Sequence, residues 1–402
     1  MKVLIYTHTF APTVGGAEKY VMLLAQGLSR LSESKINPNI EVIVVTTTPA
    51  DDFNDSGLEF RVVRQPKLFE LVRLVREADV VQLAGPCFLP LLLGFLLRRP
   101  VAVEHHGYPA SCPNGLLFHE PTATVCPGHF LARRYYKCLS CNAVKEGWFK
   151  SLRMLVLTFP RRWLSLRVAA NTPISLHVQK RLELPRSRVI YYGIAPAPSD
   201  VQPQVSPPNG SPLCFAYVGR LVSLKGLPLI LEAAHTLQEE GYDFRLKFIG
   251  DGPEMNELRR LAEKMGLAGR VEFMGFIGGT KFQAAMEDVA AVLMPSVWEE
   301  TAGLAAIEQM MRGGLVIAAD IGGLGEVVGD SGLRFPSGST EALAQCMRSV
   351  LRHPEMIAKR GGAARRRALD LFSDQRMVKE YFDLHLRLAQ ATDHGKKTQH
   401  AG

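Results

Sequence analysis

The sequence predicts an α/β protein built from doubly wound parallel sheets in two domains, and three observations support this fold class. Short apolar runs typical of buried strands alternate with segments in which apolar residues recur at helical spacing. This alternation occurs on both sides of a proline-rich stretch at residues 195–212, which should form no regular element. The length of 402 residues suits two domains.

The first half, residues 1–194, begins with a strand, a Gly15-Gly16 turn and a helix. Predicted strands lie at residues 3–6, 41–46, 60–63, 80–83, 168–171 and 188–192, with another from residue 101, and predicted helices at 20–31, 70–77 and 88–97. Ligands of such sheets bind at the carboxyl ends of the strands, so the two glycines and His105 and His106 are candidate ligand contacts. The alternatives are a tight turn for the glycines and a capped strand end for the histidines.

Residues 108–142 interrupt this alternation with a cysteine-rich insertion. It contains Cys112, Cys126, Cys138 and Cys141, and the last two form a Cys-x2-Cys pair. This spacing is common in zinc sites, so one prediction is a structural zinc site, and the alternative is four reduced thiols. The N-terminus lacks the apolar segment of a signal peptide, so we expect a cytoplasmic protein in which the seven cysteines form no disulfide framework.

Basic residues are concentrated in one segment. The net charge of the chain is +8, and residues 132–168 hold nine basic residues and one acidic residue, which equals the whole surplus. Within this segment, residues 143–169 place aromatic and aliphatic residues at helical spacing beside Lys and Arg. The pattern predicts either a helix in an anionic membrane surface, peripheral on the inner face, or a core helix with a solvated basic face. No nucleic-acid partner is expected.

The second half, residues 213–371, repeats the strand, loop and helix pattern. Predicted strands lie at residues 213–220, 245–249, 271–274, 289–294 and 316–318, and predicted helices at 227–238, 254–265 and 304–312. A further helix is predicted for residues 372–391, and the polar tail at 392–402 is predicted to be disordered.

Charged residues follow two strands of this second half. Arg220 and Lys225 come after the first strand and before a helix, a position at which two cations suit a diphosphate. Glu300 lies in the loop before the helix at 304–312, and Glu308 about one turn inside it. The two carboxylates could therefore reach different parts of one ligand. The alternative for Glu300 is a simple helix N-terminal charge.

The start of the same helix is a candidate phosphate site. The backbone N–H groups of Gly303, Leu304 and Ala305 would point out of the helix N-terminus toward a phosphate.

In combination, these motifs resemble the family 4 glycosyltransferases of the GT-B fold, and the resemblance covers nearly the whole chain. Its most specific part is the Glu300-x7-Glu308 spacing together with Gly219-Arg220 and Lys225-Gly226. Further parts are residues 15–18, His105 or His106 with Gly107, residues 189–194 and residues 248–253.

The resemblance implies a GT-B architecture, two Rossmann-like doubly wound domains facing across a cleft, with the final helix crossing back to the first domain. It implies a retaining glycosyltransferase that moves a sugar from a UDP- or GDP-sugar to a glycan or lipid-linked acceptor, in cell-surface polysaccharide biosynthesis. Arg220 and Lys225 can replace a metal on the diphosphate and no Asp-x-Asp motif is present, so we expect metal-independent transfer without a catalytic cofactor. The alternatives are a nucleotide-sugar epimerase of the same fold and a catalytically silent scaffold.

The family pattern also implies roles for side chains. Arg220 and Lys225 would bind the diphosphate and stabilise the leaving group, Glu308 would bind the ribose, and Glu300 would contact the transferred sugar. The catalytic histidine would be His105 or His106, and we favour His105 because it comes first after its strand.

Backbone groups would supply the other donor contacts. Those of residues 303–305 would bind the phosphates, those of Phe276 and Ile277 would read the base, and Gly16, with Gly15, would approach the diphosphate. The chain departs from the family at Ala302, where Phe is usual, and at Tyr192, where Asn is usual.

Overall fold

A computed structural model describes residues 1–13, 15–33, 40–196 and 212–399. The chain divides into two compact units, one of Met1–Ala195 together with the residues from Ser373 onward, and one of Pro196–Phe372. Most of the predicted proline-rich linker at 195–212 lies outside the described residues.

The first unit is built on a parallel six-stranded sheet. Its strands follow the order β3-β2-β1-β4-β5-β8, so the direction of strand addition reverses between β1 and β4. They are β1 (Lys2–Thr7), β2 (Glu41–Thr46), β3 (Arg61–Arg64), β4 (Val80–Ala84), β5 (Val101–His105) and β8 (Ala170–Pro173), and a separate antiparallel pair is formed by β6 (Phe118–His119) and β7 (Thr124–Val125).

Helices lie between these strands along the chain. Apolar residues recur on one side of each helical segment, which suits a helix that packs against a sheet. The helices are α1 (Gly16–Glu33), α2 (Leu68–Glu77), α3 (Phe88–Leu96), α4 (Tyr135–Glu146), α5 (Trp148–Ser165) and α6 (Leu176–Leu182). Leu74 of α2, Leu91 of α3 and Leu164 of α5 pack with Leu4 and Val103 of the sheet in one buried cluster. Burial of this apolar surface is the main stabilising contribution in the unit.

The predicted strand at residues 188–192 is not formed. Residues 188–190 run beside β8 and make two backbone hydrogen bonds to it, from Arg188 N to Asn171 O over 3.0 Å and from Ile190 N to Pro173 O over 3.1 Å. A left-handed residue just upstream, Arg186 with a φ of 49°, turns the chain, and the pairing ends after these two bonds.

The second unit holds another parallel six-stranded sheet, in the order β11-β10-β9-β12-β13-β14. Its strands are β9 (Leu213–Val218), β10 (Phe244–Ile249), β11 (Val271–Gly275), β12 (Val289–Met294), β13 (Leu315–Ala319) and β14 (Leu333–Phe335). Its helices are α7 (Pro228–Glu239), α8 (Met255–Lys264), α9 (Gly279–Met286), α10 (Leu304–Met311), α11 (Gly322–Val328), α12 (Thr340–Arg352) and α13 (Glu355–Phe372). The sequence patterns did not predict β14, α9, α11, α12 or α13.

The last helix, α14 (Asp374–Gln399), belongs to the first unit and packs on α1. The approach is close at Gly27 of α1, where an added Cβ would lie 2.3 Å from a methyl carbon of Val378. Tyr20 of α1 contacts Tyr381 of α14 with 5.8 Å between ring centroids, and both are buried. Gly27 therefore allows α14 to approach α1 closely, and the contact between Tyr20 and Tyr381 adds to the packing of the two helices.

Helix α14 continues through residues 392–399, where the sequence predicts disorder. A helix that is already formed adds each further residue at little cost, so it can continue into a polar sequence. Residues 400–402 lie outside the described residues. Among the helices in the described ranges, none combines the length and apolar character needed to cross a bilayer.

Candidate functional site

Two loops of the second unit meet where its strand order reverses. β9 has β10 on one side and β12 on the other, so the loops after β9 and β12 leave the same edge of the sheet next to each other. In open parallel sheets this reversal point is the usual place for a ligand.

An ion pair joins the two loops. Lys225, in the short 3-10 turn Ser223–Lys225 after β9, places its Nζ 2.7 Å from Oε1 of Glu300, in the loop after β12. Glu300 is 4% exposed, and the hydroxyl of Ser296 donates to the same carboxylate oxygen. The carboxylate is therefore fixed in position by one cation and one hydroxyl.

The close approach of the two loops depends on Gly226. Its φ is +63°, and an added Cβ would lie 2.2 Å from the carbonyl oxygen of Pro295. The backbone N–H of Val297 also donates to Leu224 O over 3.0 Å. Because only glycine accepts this conformation without strain at such short range, Gly226 allows Lys225 to reach Glu300.

The N-terminus of α10 lies beside the same carboxylate. Its N-cap is Gly303, which has a φ of 73° and provides no side-chain hydrogen bond, and a Cβ placed on it would lie 3.6 Å from Oε2 of Glu300. Leu304 and Ala305 form the first turn, in which N–H groups have no acceptor inside the helix. Glu308 is half-buried one turn further along α10. The site thus combines donors suited to an anion with carboxylates suited to hydroxyl groups.

The other predicted donor residues follow strands of the same sheet. Arg220, after β9, has an exposed side chain, and its carbonyl oxygen accepts a 2.8 Å hydrogen bond from the Tyr217 hydroxyl. Phe276, after β11, is 83% exposed, and Ile277 is half-buried. The parallel strands place all these residues at one edge of the sheet. Ala302 is buried.

In the first unit, Gly15 and Gly16 lie between β1 and α1, and Gly16 is the first residue of the helix. The N–H of Lys19 donates to the carbonyl oxygen of Gly15 over 3.1 Å. The glycines therefore form the start of α1 at the carboxyl end of β1. Tyr192 is buried against Tyr20 with 5.3 Å between ring centroids.

The two histidines at the end of β5 differ in their surroundings. His105 is fully buried, and its Nε2 lies 2.8 Å from Oδ1 of Asn171. Burial lowers the pKa of His105 to about 4, so the ring is neutral near pH 7. This environment does not support our preference for His105, because a substrate cannot reach a fully buried ring.

His106 has a partly exposed ring, with 34% of its side chain accessible. Its Nδ1 lies 2.8 Å from Oε2 of the buried Glu104. Burial alone lowers the pKa of His106, but the charge of Glu104 and this hydrogen bond outweigh it, and the pKa is raised. Of the two histidines, His106 is the one that can touch a ligand.

The four cysteines of the insertion are all buried and free. The Sγ of Cys112 lies 2.9 Å from Oδ1 of Asn114, and Nδ2 of Asn114 lies 3.8 Å from Sγ of Cys141. Within the described parts of the chain, no three His, Cys, Asp or Glu side chains are arranged as ligands of a metal ion. The zinc site at Cys112, Cys126, Cys138 and Cys141 stays a prediction.

Two residues of these sites were missed by the sequence reasoning. Ser296 is the first polar residue after β12, and Glu104 is an acidic residue inside an apolar strand. The position of Glu104 was a usable signal, since a charged residue in a buried strand needs a partner. For Ser296 no signal in the sequence distinguishes it from an ordinary loop serine.

Residues of the second unit are similar in sequence to known proteins. Residues 199–367 match the family described as glycosyl transferases group 1. The 2-deoxystreptamine glucosyltransferase of Streptomyces kanamyceticus is 33% identical over 168 residues, which cover 41% of this chain and 43% of that protein. Glycogen synthase of Mycobacterium tuberculosis is 31% identical over 170 residues, 42% of this chain and 41% of that enzyme. The chain thus matches less than half the length of these relatives.

Solved structures match nearly the whole chain. The structure of Anabaena Alr3699/HepE in complex with UDP has a TM-score of 0.69 and 20% identity, and the match covers 96% of this chain and 99% of that one. A second structure of the same protein, in complex with UDP-glucose, has a TM-score of 0.66 at 19% identity, with coverage of 98% and 100%. The fold of this chain is the GT-B type, and its residues 199–367 match the glycosyl transferases group 1 family.

Proposed function

We propose that this chain is a retaining glycosyltransferase that moves a sugar from a UDP- or GDP-sugar to a glycan or lipid-linked acceptor. The observation that carries the proposal is the contact between Lys225 and Glu300 beside the N-terminus of α10, at the strand-order reversal of the second unit. A cation, a fixed carboxylate and free helix N–H groups in one place suit a sugar attached to a diphosphate.

In the proposed reaction, the bond between the anomeric carbon and the diphosphate oxygen breaks. The acceptor hydroxyl oxygen bonds to the same carbon and its proton is released. Negative charge grows on the departing diphosphate, and Arg220, Lys225 and the N–H groups of Leu304 and Ala305 are the groups that would stabilise it. Such fixed electrostatic stabilisation is usually the largest single contribution to catalysis.

The two glutamates would bind hydroxyl groups. Glu300 is held by Lys225 and Ser296, so its carboxylate is oriented before a sugar arrives, which favours the role of contacting the transferred sugar. Glu308 on α10 would bind the ribose. Phe276 and Ile277 would contact the base.

For the histidine, we propose His106 in place of His105, because only His106 has an accessible ring. Glu104 holds its Nδ1, which fixes the ring orientation and raises its pKa. Nε2 is then the atom available for a hydrogen bond to a substrate oxygen.

Transfer is proposed to need no metal, since Arg220 and Lys225 supply two positive charges for the diphosphate. Activity that survives a chelator would support this. Loss of activity in the chelator that returns with added Mg²⁺ or Mn²⁺ would contradict it.

The acceptor and biological role are also proposals. Glycogen synthase among the relatives is named for a polysaccharide, which supports polysaccharide biosynthesis. The UDP complexes of Alr3699/HepE favour UDP over GDP as the first donor base to test. We further propose that the chain works peripherally at the inner face of the membrane.

The test is a thermal-shift comparison of the wild type and the Glu308→Ala variant against UDP- and GDP-sugars. A ligand that binds only the native state stabilises it by about 2.7 kcal/mol at a hundred times its dissociation constant. We expect a shift with one base only, lost in Glu308→Ala and kept in the control Glu263→Ala, an exposed glutamate on α8.

The product then separates the remaining alternatives. Transfer with unchanged anomeric configuration, read by NMR, supports the proposal. A changed sugar on an intact nucleotide would indicate an epimerase. Tight donor binding without turnover on any acceptor would indicate a silent scaffold.

A further inference from the structure

Helix α5 exposes large apolar side chains along one face. These residues are spaced by three or four positions, so they form one line on the helix. We call them the apolar strip: Phe149, Leu152, Val156, Phe159 and Trp163. Phe149 is 85% exposed, and Trp163, at the other end, is 45% exposed. The strip is about 21 Å long at 1.5 Å per residue.

The buried face of the same helix carries three small polar residues besides Leu155 and Leu164. Ser151, Thr158 and Ser165 are each fully buried. Their hydroxyls donate to backbone carbonyls, Ser151 to Leu139 O over 2.6 Å, Thr158 to Met154 O over 2.8 Å and Ser165 to Arg161 O over 2.9 Å.

An ordinary surface helix turns its large apolar residues inward, whereas α5 buries Leu155 and Leu164 but leaves the five residues of the strip exposed. The two predictions for residues 143–169, a helix in an anionic membrane surface and a core helix with a solvated basic face, both stay predictions. An exposed apolar surface of this kind marks a site at which another molecule or a membrane binds. The apolar strip is therefore a candidate binding surface.

The apolar surface continues onto the neighbouring helix α3. Phe95 at its end is 45% exposed and contacts Trp163, with 5.3 Å between ring centroids. Leu96 is 62% exposed, and Arg98 and Arg99 follow after Leu97. The exposed apolar surface is therefore contributed by two packed helices of one unit.

Cations border this surface. The side chains of Lys150 and Arg153 on α5 are exposed. The guanidinium of Arg167 lies 3.9 Å from the ring centroid of Trp163, so a positive charge stands next to the strip itself. Residues 132–168 carry nine basic residues against one acidic residue.

We propose that the apolar strip enters the interface of an anionic membrane, with Lys150, Arg153 and Arg167 facing the lipid headgroups. Aromatic and aliphatic residues on one face, flanked by Lys and Arg, are the features of helices that lie in a bilayer surface. Charge also decides against a second copy of the chain, because a symmetric contact through this face would bring together two segments that each carry eight surplus positive charges.

The proposal is tested by co-sedimentation of the full chain with vesicles at about 0.15 M salt, where distant charges are screened. The vesicles contain phosphatidylcholine alone or with one quarter phosphatidylglycerol, and no sugar nucleotide is present. We expect binding to the anionic vesicles only.

Two variants separate the apolar and charged contributions. Phe149→Gln with Leu152→Gln should lower the partition coefficient at least tenfold, since a buried large apolar side chain contributes more than about 1.4 kcal/mol. Arg153→Gln should lower it about fivefold, from about 1 kcal/mol per basic residue near the surface. The control is Phe69→Gln on α2, which changes the same residue type at 73% exposure outside the strip. It should bind as the wild type does.

Three results would overturn the proposal. The first is that the wild type does not bind anionic vesicles. The second is that the strip variant, Phe149→Gln with Leu152→Gln, binds them as strongly as the wild type does. The third is that the wild type is a dimer and the strip variant is a monomer. The strip variant should unfold at the same temperature as the wild type. This control excludes misfolding as the cause of weaker vesicle binding. Because vesicle binding is measured without donor or acceptor, its failure is separate from failure of the glycosyltransferase proposal.

Discussion

Lys225 and Glu300 are 75 residues apart in the chain, yet their side chains meet over 2.7 Å. The pair connects the loop after β9 to the loop after β12, and both partners are mostly buried, with 23% and 6% of their side chains exposed. It therefore orients a carboxylate and a cation at the same edge of the sheet.

Replacing Lys225 by Met should affect both stability and transfer. The buried carboxylate of Glu300 would lose its cation, which costs up to about 3–5 kcal/mol in the free energy of unfolding. The turnover number should fall by about 10²–10³, the usual effect of removing a group that stabilises developing charge. Urea unfolding and donor turnover measure the two effects.

The control for this variant is Arg30→Met, which breaks the pair of Arg30 with Glu59. The Arg30 side chain is 64% exposed, so we expect a change of only about 0–1 kcal/mol and no change in turnover. Equal effects of the two variants would show that the Lys225–Glu300 pair has no special role.

Gly226→Ala should destabilise the second unit through the contact with Pro295. The added Cβ would meet the Pro295 carbonyl oxygen at 2.2 Å in addition to the left-handed backbone strain. The matched control is Gly241→Ala, which has a φ of +84° and no atom within 4 Å of the added carbon. Backbone strain alone costs about 1–3 kcal/mol.

The difference in the free energy of unfolding between these two variants isolates the clash. Gly226→Ala should be clearly less stable than Gly241→Ala and should also lose donor binding. Equal stabilities would mean that the two loops can move apart freely.

The two neighbouring histidines should give opposite pH dependences of stability. The pKa of His105 is lowered to about 4 by burial, so between about pH 6.5 and pH 4 the unfolded chain binds a proton that the folded chain does not. This residue therefore makes the wild type less stable as the pH falls through that window. His105→Gln removes this loss, and its stability relative to the wild type should improve toward low pH.

His106 has a raised pKa because Glu104 favours its charged form against the cost of burial. Its contribution to stability is complete below about pH 6.5 and is lost as the pH rises through the folded-state pKa. His106→Gln should therefore be most destabilising at low pH. Urea unfolding of both variants from pH 4 to 9 measures the two trends, and trends of the same sign would contradict this assignment.

The cysteines allow the zinc prediction to be tested directly. All seven are free in the structure, and no ligand group for a metal is arranged among the described residues. We therefore expect seven titratable thiols after unfolding. One zinc per chain by elemental analysis, lost in Cys138→Ser, would support the zinc site, and a wild type without zinc would support four reduced thiols.

The sequence by itself determined many of the regular elements and the main motifs. Apolar runs located β1, β2 and β12 to within a residue or so, because a strand buried on both faces must be apolar throughout. Motif spacing placed Arg220 and Lys225 after one strand, and Glu300 and Glu308 after another, since the loop after a strand and the helix that follows it are local in sequence.

Only the tertiary structure decided how distant residues meet. The strand order places β9 beside β12 and so brings Lys225 to Glu300. Accessibility distinguished His106 from His105, two adjacent residues that the chain order cannot rank. The packing of α5 decided which side of an amphipathic helix faces outward, because helical spacing reveals that two faces differ but not which of them is buried.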